Sequence, residues 1–321
     1  MLTPLLRALL SACMLLWALP SSAQTFPSRP ITLVAPFPAG SVTDSVTRAV
    51  AKALSESIGQ PVLVDNRAGA QGTIGAAFVA NAKPDGYTLL MGSSVMFVAK
   101  GLFKTLSYDP MDSFVPVAGL GSTAMMFLVP QTSPVKSMTE LATQAKAAKQ
   151  AVSMAYGSPS GQVAVALFAS VTQSEPVAVS YRGIPQAITD MLGGQVQVAV
   201  VDIGSGMAQV NAQKARALAI SAASRSPSAP QVPTLQETFS LPAGALETII
   251  AVQAPAGTPA AVVDRLDAAF QKAMSSPEVK AQFQTLNTSV LSLSSKQLQE
   301  RMRTDNPRWL QLMVQAGIAP Q

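Results

Sequence analysis

Ile31-Thr32-Leu33-Val34-Ala35 leads into Pro36-Phe37-Pro38-Ala39-Gly40-Ser41-Val42-Thr43-Asp44, and beyond it Val46, Ala49, Val50, Ala53, Leu54 and Ile58 recur at helical spacing. A short apolar run bounded by Pro and Gly reads as a buried strand; apolar residues three and four apart read as an amphipathic helix. Ser41, three residues before Asp44, fits a cap at the helix start. This unit of strand, Gly turn and helix recurs. Residues 61–65 precede the turn Asn66-Arg67-Ala68-Gly69-Ala70-Gln71-Gly72 and a helix over 73–82. Residues 87–91 form a strand ending in Gly92-Ser93-Ser94. Later, residues 152–156 lead into Gly157-Ser158-Pro159-Ser160-Gly161, 177–181 into Arg182-Gly183, and 196–201 into Asp202-Ile203-Gly204. Strands alternating with helices predict an α/β fold with parallel sheets, whose ligands sit beyond the carboxyl ends of the strands. The Gly/Ser turns are those ends.

The alternation divides in two. Residues 125–129 read as a strand, followed by Pro130 and the cap Ser137-Met138-Thr139-Glu140 opening a helix over 141–149. A second domain is expected over 125–247, and a first domain over 24–124 and 248–321. The Ser- and Pro-rich segment 224–233 lies inside the second half. Residues 248–253 return as a strand, and Ala254-Pro255-Ala256-Gly257-Thr258-Pro259 introduces a helix over 260–274. Helices over 277–285 and 295–316 complete the first domain.

Composition narrows the chemistry. The 321-residue chain has 48% hydrophobic and 12% charged residues, as in ordinary globular proteins, and contains no histidine. Its one cysteine is Cys13. Histidine-based catalysis, histidine or cysteine metal sites and internal disulfides are therefore excluded, and no metal or cofactor is expected. The net charge of +5 comes from few acids, and no run of Lys or Arg exceeds one residue. Nucleic-acid binding has no support.

Residues 1–23 read as a cleavable signal peptide: Arg7, an apolar stretch over 8–19, then Pro20-Ser21-Ser22-Ala23 before Gln24. That apolar stretch is too short to span a bilayer. Leu10-Ser11-Ala12-Cys13 resembles a lipoprotein cleavage box, but the apolar run continues past it, so a lipid anchor at Cys13 is the lesser reading. A soluble exported protein is expected.

Strand–Gly turn–helix units offer unpaired N–H groups and the positive end of a helix dipole, which suits carboxylates. Gly40, Gly69 and Gly72 would let backbone approach a ligand, and Ser41, Thr43, Thr73, Ser93 and Ser158 would add hydroxyls. Asp44 serves as a cap or faces the ligand. Asp202, opening a Gly-rich turn, accepts from a ligand amine or water, or forms an Asx turn. Arg182 pairs with a second carboxylate or is solvated, and Phe37 and Tyr181 wall the pocket or pack. Two enzyme-like motifs fail on context. Ser133-Pro134-Val135-Lys136 lies in a loop before its helix, and Gly119-Leu120-Gly121-Ser122-Thr123-Ala124 is followed by a strand. No catalytic group is expected.

Ser28-Arg29-Pro30-Ile31, Pro36-Phe37-Pro38-Ala39-Gly40, Asp44 and the run from Gln60 to Gly75 together resemble the Bug family, periplasmic receptors of tripartite tricarboxylate transporters. So do Pro84-Asp85-Gly86-Tyr87, Tyr181-Arg182-Gly183, Leu192-Gly193-Gly194-Gln195-Val196 and Ala254-Pro255-Ala256-Gly257-Thr258-Pro259. The resemblance implies a two-domain periplasmic-binding-protein fold (the type II Venus flytrap) that closes on a small organic carboxylate in an interdomain cleft. It implies that the loops over 37–44 and 68–73 pinch the carboxylate, adding Ala39 and Ala70 to the expected site. Ser158, Tyr181 and Asp202 would contribute from the second domain. A monomer delivering its ligand to membrane transporter subunits is the expected function; the alternative is a receptor of the same fold signalling to a sensor kinase. Ser41 stands where the family usually has a second glycine, which implies an altered specificity.

Overall fold

The computed structural model describes residues 26–147, 151–222, 224–239, 247–315 and 317–320. The signal peptide and Cys13 lie outside them. In chain order the elements are β1 (Ile31–Ala35), α1 (Val42–Ile58), β2 (Val62–Asn66), α2 (Thr73–Ala80), β3 (Thr88–Ser93) and β4 (Phe114–Pro130). Then come α3 (Met138–Ala147), β5 (Ser153–Tyr156), α4 (Pro159–Thr172), β6 (Val177–Ser180), α5 (Ile184–Leu192), β7 (Val198–Asp202), α6 (Ile203–Asn211) and β8 (Ala215–Ile220). The chain continues through α7 (Leu235–Phe239), β9 (Glu247–Pro255), α8 (Ala260–Met274), α9 (Pro277–Thr285), β10 (Ser289–Ser294) and α10 (Ser295–Gln315).

Helix α1 forms because its apolar residues fall on one stripe: Val46, Val50 and Leu54 are fully buried. Ser41 caps its start by accepting from the Asp44 N–H, and Gly59 ends it in the left-handed conformation. Its buried stripe packs on Ile31 and Leu33 of β1 and on Phe270 of α8. Burying a Leu or Val side chain stabilises by about 1.5–3 kcal/mol.

Strand β1 lies between β2 and β3, parallel to both. Strand β9 runs antiparallel between β3 and β4 and closes that sheet toward β4. In the other sheet β5 lies parallel between β6 and β7, and β7 and β8 pair antiparallel with β4. One strand therefore serves both sheets. Residues 114–124 of β4 pair with β9, and from Met125 onward the strand pairs with β7 and β8. Helix α10 spans the same divide: Leu298 and Met302 pack on Ile249 and Ala251, while Trp309 and Met313 join the core around Phe127 and Phe168.

Three readings need correction. Residues 119–124, which look like a glycine turn, lie inside β4. The glycines are there for space: a Cβ on Gly121 would meet Phe283 at 2.6 Å and the Ser289 carbonyl at 2.7 Å. Strand β10, which pairs with β4 at that point, gave no recognisable signal because it is a short, half-exposed edge. The helix expected over 73–82 ends at Ala80, where Asn81 closes it with its side-chain amide on the Ala77 carbonyl.

Candidate ligand-binding cleft

A small cavity of about 50 Å³, partly open to solvent, lies between the two sheets. Its floor is made where the sheets meet: Gly92 and Ser93 end β3, Thr123 and Met125 lie on β4, and Thr248 and Ile250 on β9. Phe37, Ser41, Val42 and Thr43 form one wall. Ser158, Ser160, Ile184 and Asp202 form the other.

Four of the described helices begin at this cavity. Ser41 is the cap of α1, Ser158 the cap of α4 and Asp202 the cap of α6, and Ile184 is the first residue of α5. Each contributes first-turn N–H groups and the positive end of a dipole. No Lys or Arg is among the described lining residues. An anion here would be held by neutral donors in an apolar frame of Phe37, Val42, Ile184 and Ile250.

Of the expected site residues, Phe37, Ser41, Thr43, Ser93, Ser158 and Asp202 line the cavity. Asp44 does not, because its carboxylate is fully engaged elsewhere. It accepts from the Gly40 N–H at 3.0 Å, the Asn66 amide at 2.9 Å and Arg48 Nε at 3.1 Å. These bonds anchor the turn, in which Gly40 holds a left-handed φ of 80°. Ala39 and Gly40 are exposed and are not among the lining residues.

The second loop stops short of the cavity as well. Ala70 is exposed, and the Thr73 hydroxyl donates to the Ala70 carbonyl at 2.9 Å. Gly72, at φ 94°, packs behind Phe37: a Cβ there would sit 3.4 Å from Phe37 Cζ. Tyr181 is turned away, donating its hydroxyl to Asp190 at 2.7 Å, and Arg182 is exposed. The floor residues Thr123, Thr248 and Ile250 were not anticipated. Their strands look like ordinary β segments, and only the meeting of β4 and β9 brings them under a cleft.

Two carboxylates are perturbed in opposite directions. Burial would raise the Asp44 carboxyl, but Arg48, the Gly40 N–H and the Asn66 amide outweigh it and hold it below the ordinary carboxylate value. Burial raises Asp202 above that value, although the N–H and hydroxyl of Ser205 partly offset it.

The profile of the tripartite tricarboxylate transporter family receptors matches residues 46–318. The chain belongs to this family. It is similar to the periplasmic binding protein BugD, with 29% identity and a TM-score of 0.86 over 92% of this chain and all of BugD. It is also similar to Rpa4515 from R. palustris, solved with adipate, at 28% identity and TM-score 0.86 over 92% of this chain and 100% of that one. MatC from Rhodopseudomonas palustris, solved with bound malate, is 29% identical with a TM-score of 0.84, covering 90% of this chain and 100% of its own. This Bug-type receptor therefore has the two-domain periplasmic-binding-protein fold. It is a substrate-binding receptor rather than an enzyme. Among the described residues no group of His, Cys, Asp or Glu could hold a metal ion, and no helix is long and apolar enough to cross a membrane.

Proposed function

We propose that this receptor captures a small organic carboxylate in the cleft and delivers it, in the periplasm, to the membrane subunits of a tripartite tricarboxylate-type transporter. The observation that carries the carboxylate is the convergence of four helix N-termini on a cavity whose described lining has no cationic side chain. The adipate and malate complexes of two relatives agree with it. The acid sits against Ser41, Val42 and Thr43 at the start of α1, with Ser93 below it and Ser158 across the cleft. Residues 1–23 direct export and are removed from the mature chain.

The domains proposed are 24–124 with 248–321, and 125–247. They hinge where β4 exchanges its pairing from β9 to β7 and β8. Closure draws its free energy from contacts the ligand makes only when both walls reach it.

The test is a thermal-shift screen of the mature chain, stripped of bound ligand by unfolding and refolding, against acids and their matched amides. Saturation at about 100 times Kd adds about 2.7 kcal/mol, a rise of several degrees. A shift with the acid and none with its amide supports the carboxylate clamp. Equal shifts with both, or none with any acid, would end it.

A further inference from the structure

We propose that the cleft takes up a proton together with its acid: Asp202, on the cavity wall, receives one proton from solvent when a carboxylate is enclosed beside it. The inference rests on the carboxylate reading above and goes beyond it, because the captured species becomes an acid with a proton rather than an anion alone.

Geometry carries the argument. Asp202 lines the cavity at the end of β7 and is 5% exposed. At about 50 Å³ the cavity has room for only a few water-sized groups, so a carboxylate inside it lies within several ångströms of Asp202. Two carboxylates that close, with little water between them, do not both stay ionised, and one proton then belongs to the pair. No Lys or Arg is among the described lining residues, so no cation is at hand to neutralise the second charge instead. The described partners of Asp202 are neutral as well: its two oxygens accept from the N–H and the hydroxyl of Ser205, at 2.7 and 3.0 Å.

The ionisable groups on the elements packed around it are committed elsewhere. Asp44, in the first turn of α1 on the opposite wall, is paired with Arg48. Arg225, which shares a small pocket with Ile203, is paired with Glu237. Asp190 of α5 accepts from Tyr181, and Tyr156 of β5 is buried with its hydroxyl pushed up, so it stays neutral. Strand β4 and helices α4 and α6 carry no charged residue. At Asp202 itself two effects compete. The start of α6 and Ser205 favour its charge, burial disfavours it, and burial prevails. A carboxylate arriving beside it adds repulsion in the same direction, so closure over an acid draws the proton in.

The experiment is isothermal titration of the mature, ligand-stripped receptor with acetate, butanoate, succinate, malate and adipate from pH 6.5 to 8.5, each in two buffers of unlike ionisation heat. Carboxylic acids in solution are ionised throughout that range, so a difference in heat between the buffers counts protons taken from solvent. For every acid that binds, uptake should reach a substantial fraction of one proton, and Kd should rise with pH by up to about tenfold per unit where the uptake is greatest. Asp202→Asn should abolish the uptake and leave Kd flat with pH, since Asn caps a helix as well as Asp does and cannot take the proton. Should that variant fail to fold, Ser205→Ala, which removes a donor from the charged form, should move the pH dependence upward. Equal heats in both buffers at every pH overturn the proposal and leave the carboxylate reading standing. So does the same uptake in Asp202→Asn or, where only Ser205→Ala folds, an unmoved profile. If none of the five acids binds, both fall together.

Discussion

Gln71 Nε2 donates to Gln162 Oε1 at 2.9 Å, and this buried amide pair ties the loop after β2 to the first turn of α4 on the opposite side of the cleft. The loop is held in an uncommon shape to do so: Ala70 and Gln71 both have positive φ, at 44° and 52°. With Ser160 and Thr248, this gives the closed arrangement two polar bridges that carry no charge.

Removing one partner of the amide pair strands the other in a buried site. Gln162→Leu and Gln71→Ala should each destabilise the ligand-bound protein, in which the walls are closed, by about 1–3 kcal/mol in urea unfolding. The double variant should lose less than their sum, with a coupling of about 1 kcal/mol. A coupling of zero would show that the bridge does not form in solution.

Gly183 offers a direct test of closure. It starts α5 with an extended backbone, φ −174°, which any residue adopts, yet a Cβ there would strike Pro38 of the opposite wall at 2.6 Å. Gly183→Ala should therefore weaken carboxylate binding by tenfold or more while moving the unfolding midpoint of the ligand-free protein very little. An equal loss of stability and affinity would place the fault in the domain itself rather than in closure.

Asp44 should govern part of the acid response. Its carboxyl is held below the ordinary value in the folded protein, so the unfolded chain binds its proton first as pH falls. Its contribution is complete above the unfolded value of about 3.9 and is lost as pH falls through the depressed folded value. Asp44→Asn should flatten that part of the stability profile, and at pH 7 it should cost about 2 kcal/mol through the lost charged hydrogen bonds. Urea midpoints measured from pH 7 down to pH 3 decide this.

Asp202 has the opposite sign. Its folded carboxyl lies above the ordinary value, so the folded state holds its proton longer. Stability from this group is present below the unfolded value and lost as pH rises toward the folded one. Asn caps helices as well as Asp does, so Asp202→Asn should keep α6 and remove that pH dependence. It should also tighten carboxylate binding several-fold at any pH where the Asp202 carboxyl is ionised, because a negative charge then leaves the cavity wall. Weaker binding of every acid would instead assign the carboxylate a direct hold on the ligand.

The first Gly loop shows how much of the site was legible. Ser41, Thr43 and Phe37 were readable because strand, turn and cap follow one another in the chain, and that local order fixes where the helix begins. Asp44 misled for the same reason: its position in the turn was visible, but the Asn66 amide that occupies it comes from β2. The second loop has an equally suggestive sequence, yet Thr73 satisfies itself on Ala70 and Gln71 reaches across the cleft. Thr123 and Thr248 carried no signal, since their place under the cleft depends on which strands become neighbours.

The helix starts at Ser158 and Asp202, read as Gly-rich turns, came from the structure. From the sequence alone came the α/β class, the order of its units, the helix start at Ser41, and the absence of histidine or cysteine chemistry. These follow from hydrophobic period, capping and composition, all of which act over a few residues. Only the tertiary structure decided that β4 serves both sheets, that four helix starts face one cavity, and that Thr123 and Thr248 meet at its floor. Those outcomes are set by packing between segments more than a hundred residues apart, as Thr123 and Thr248 are, and no local spacing encodes them.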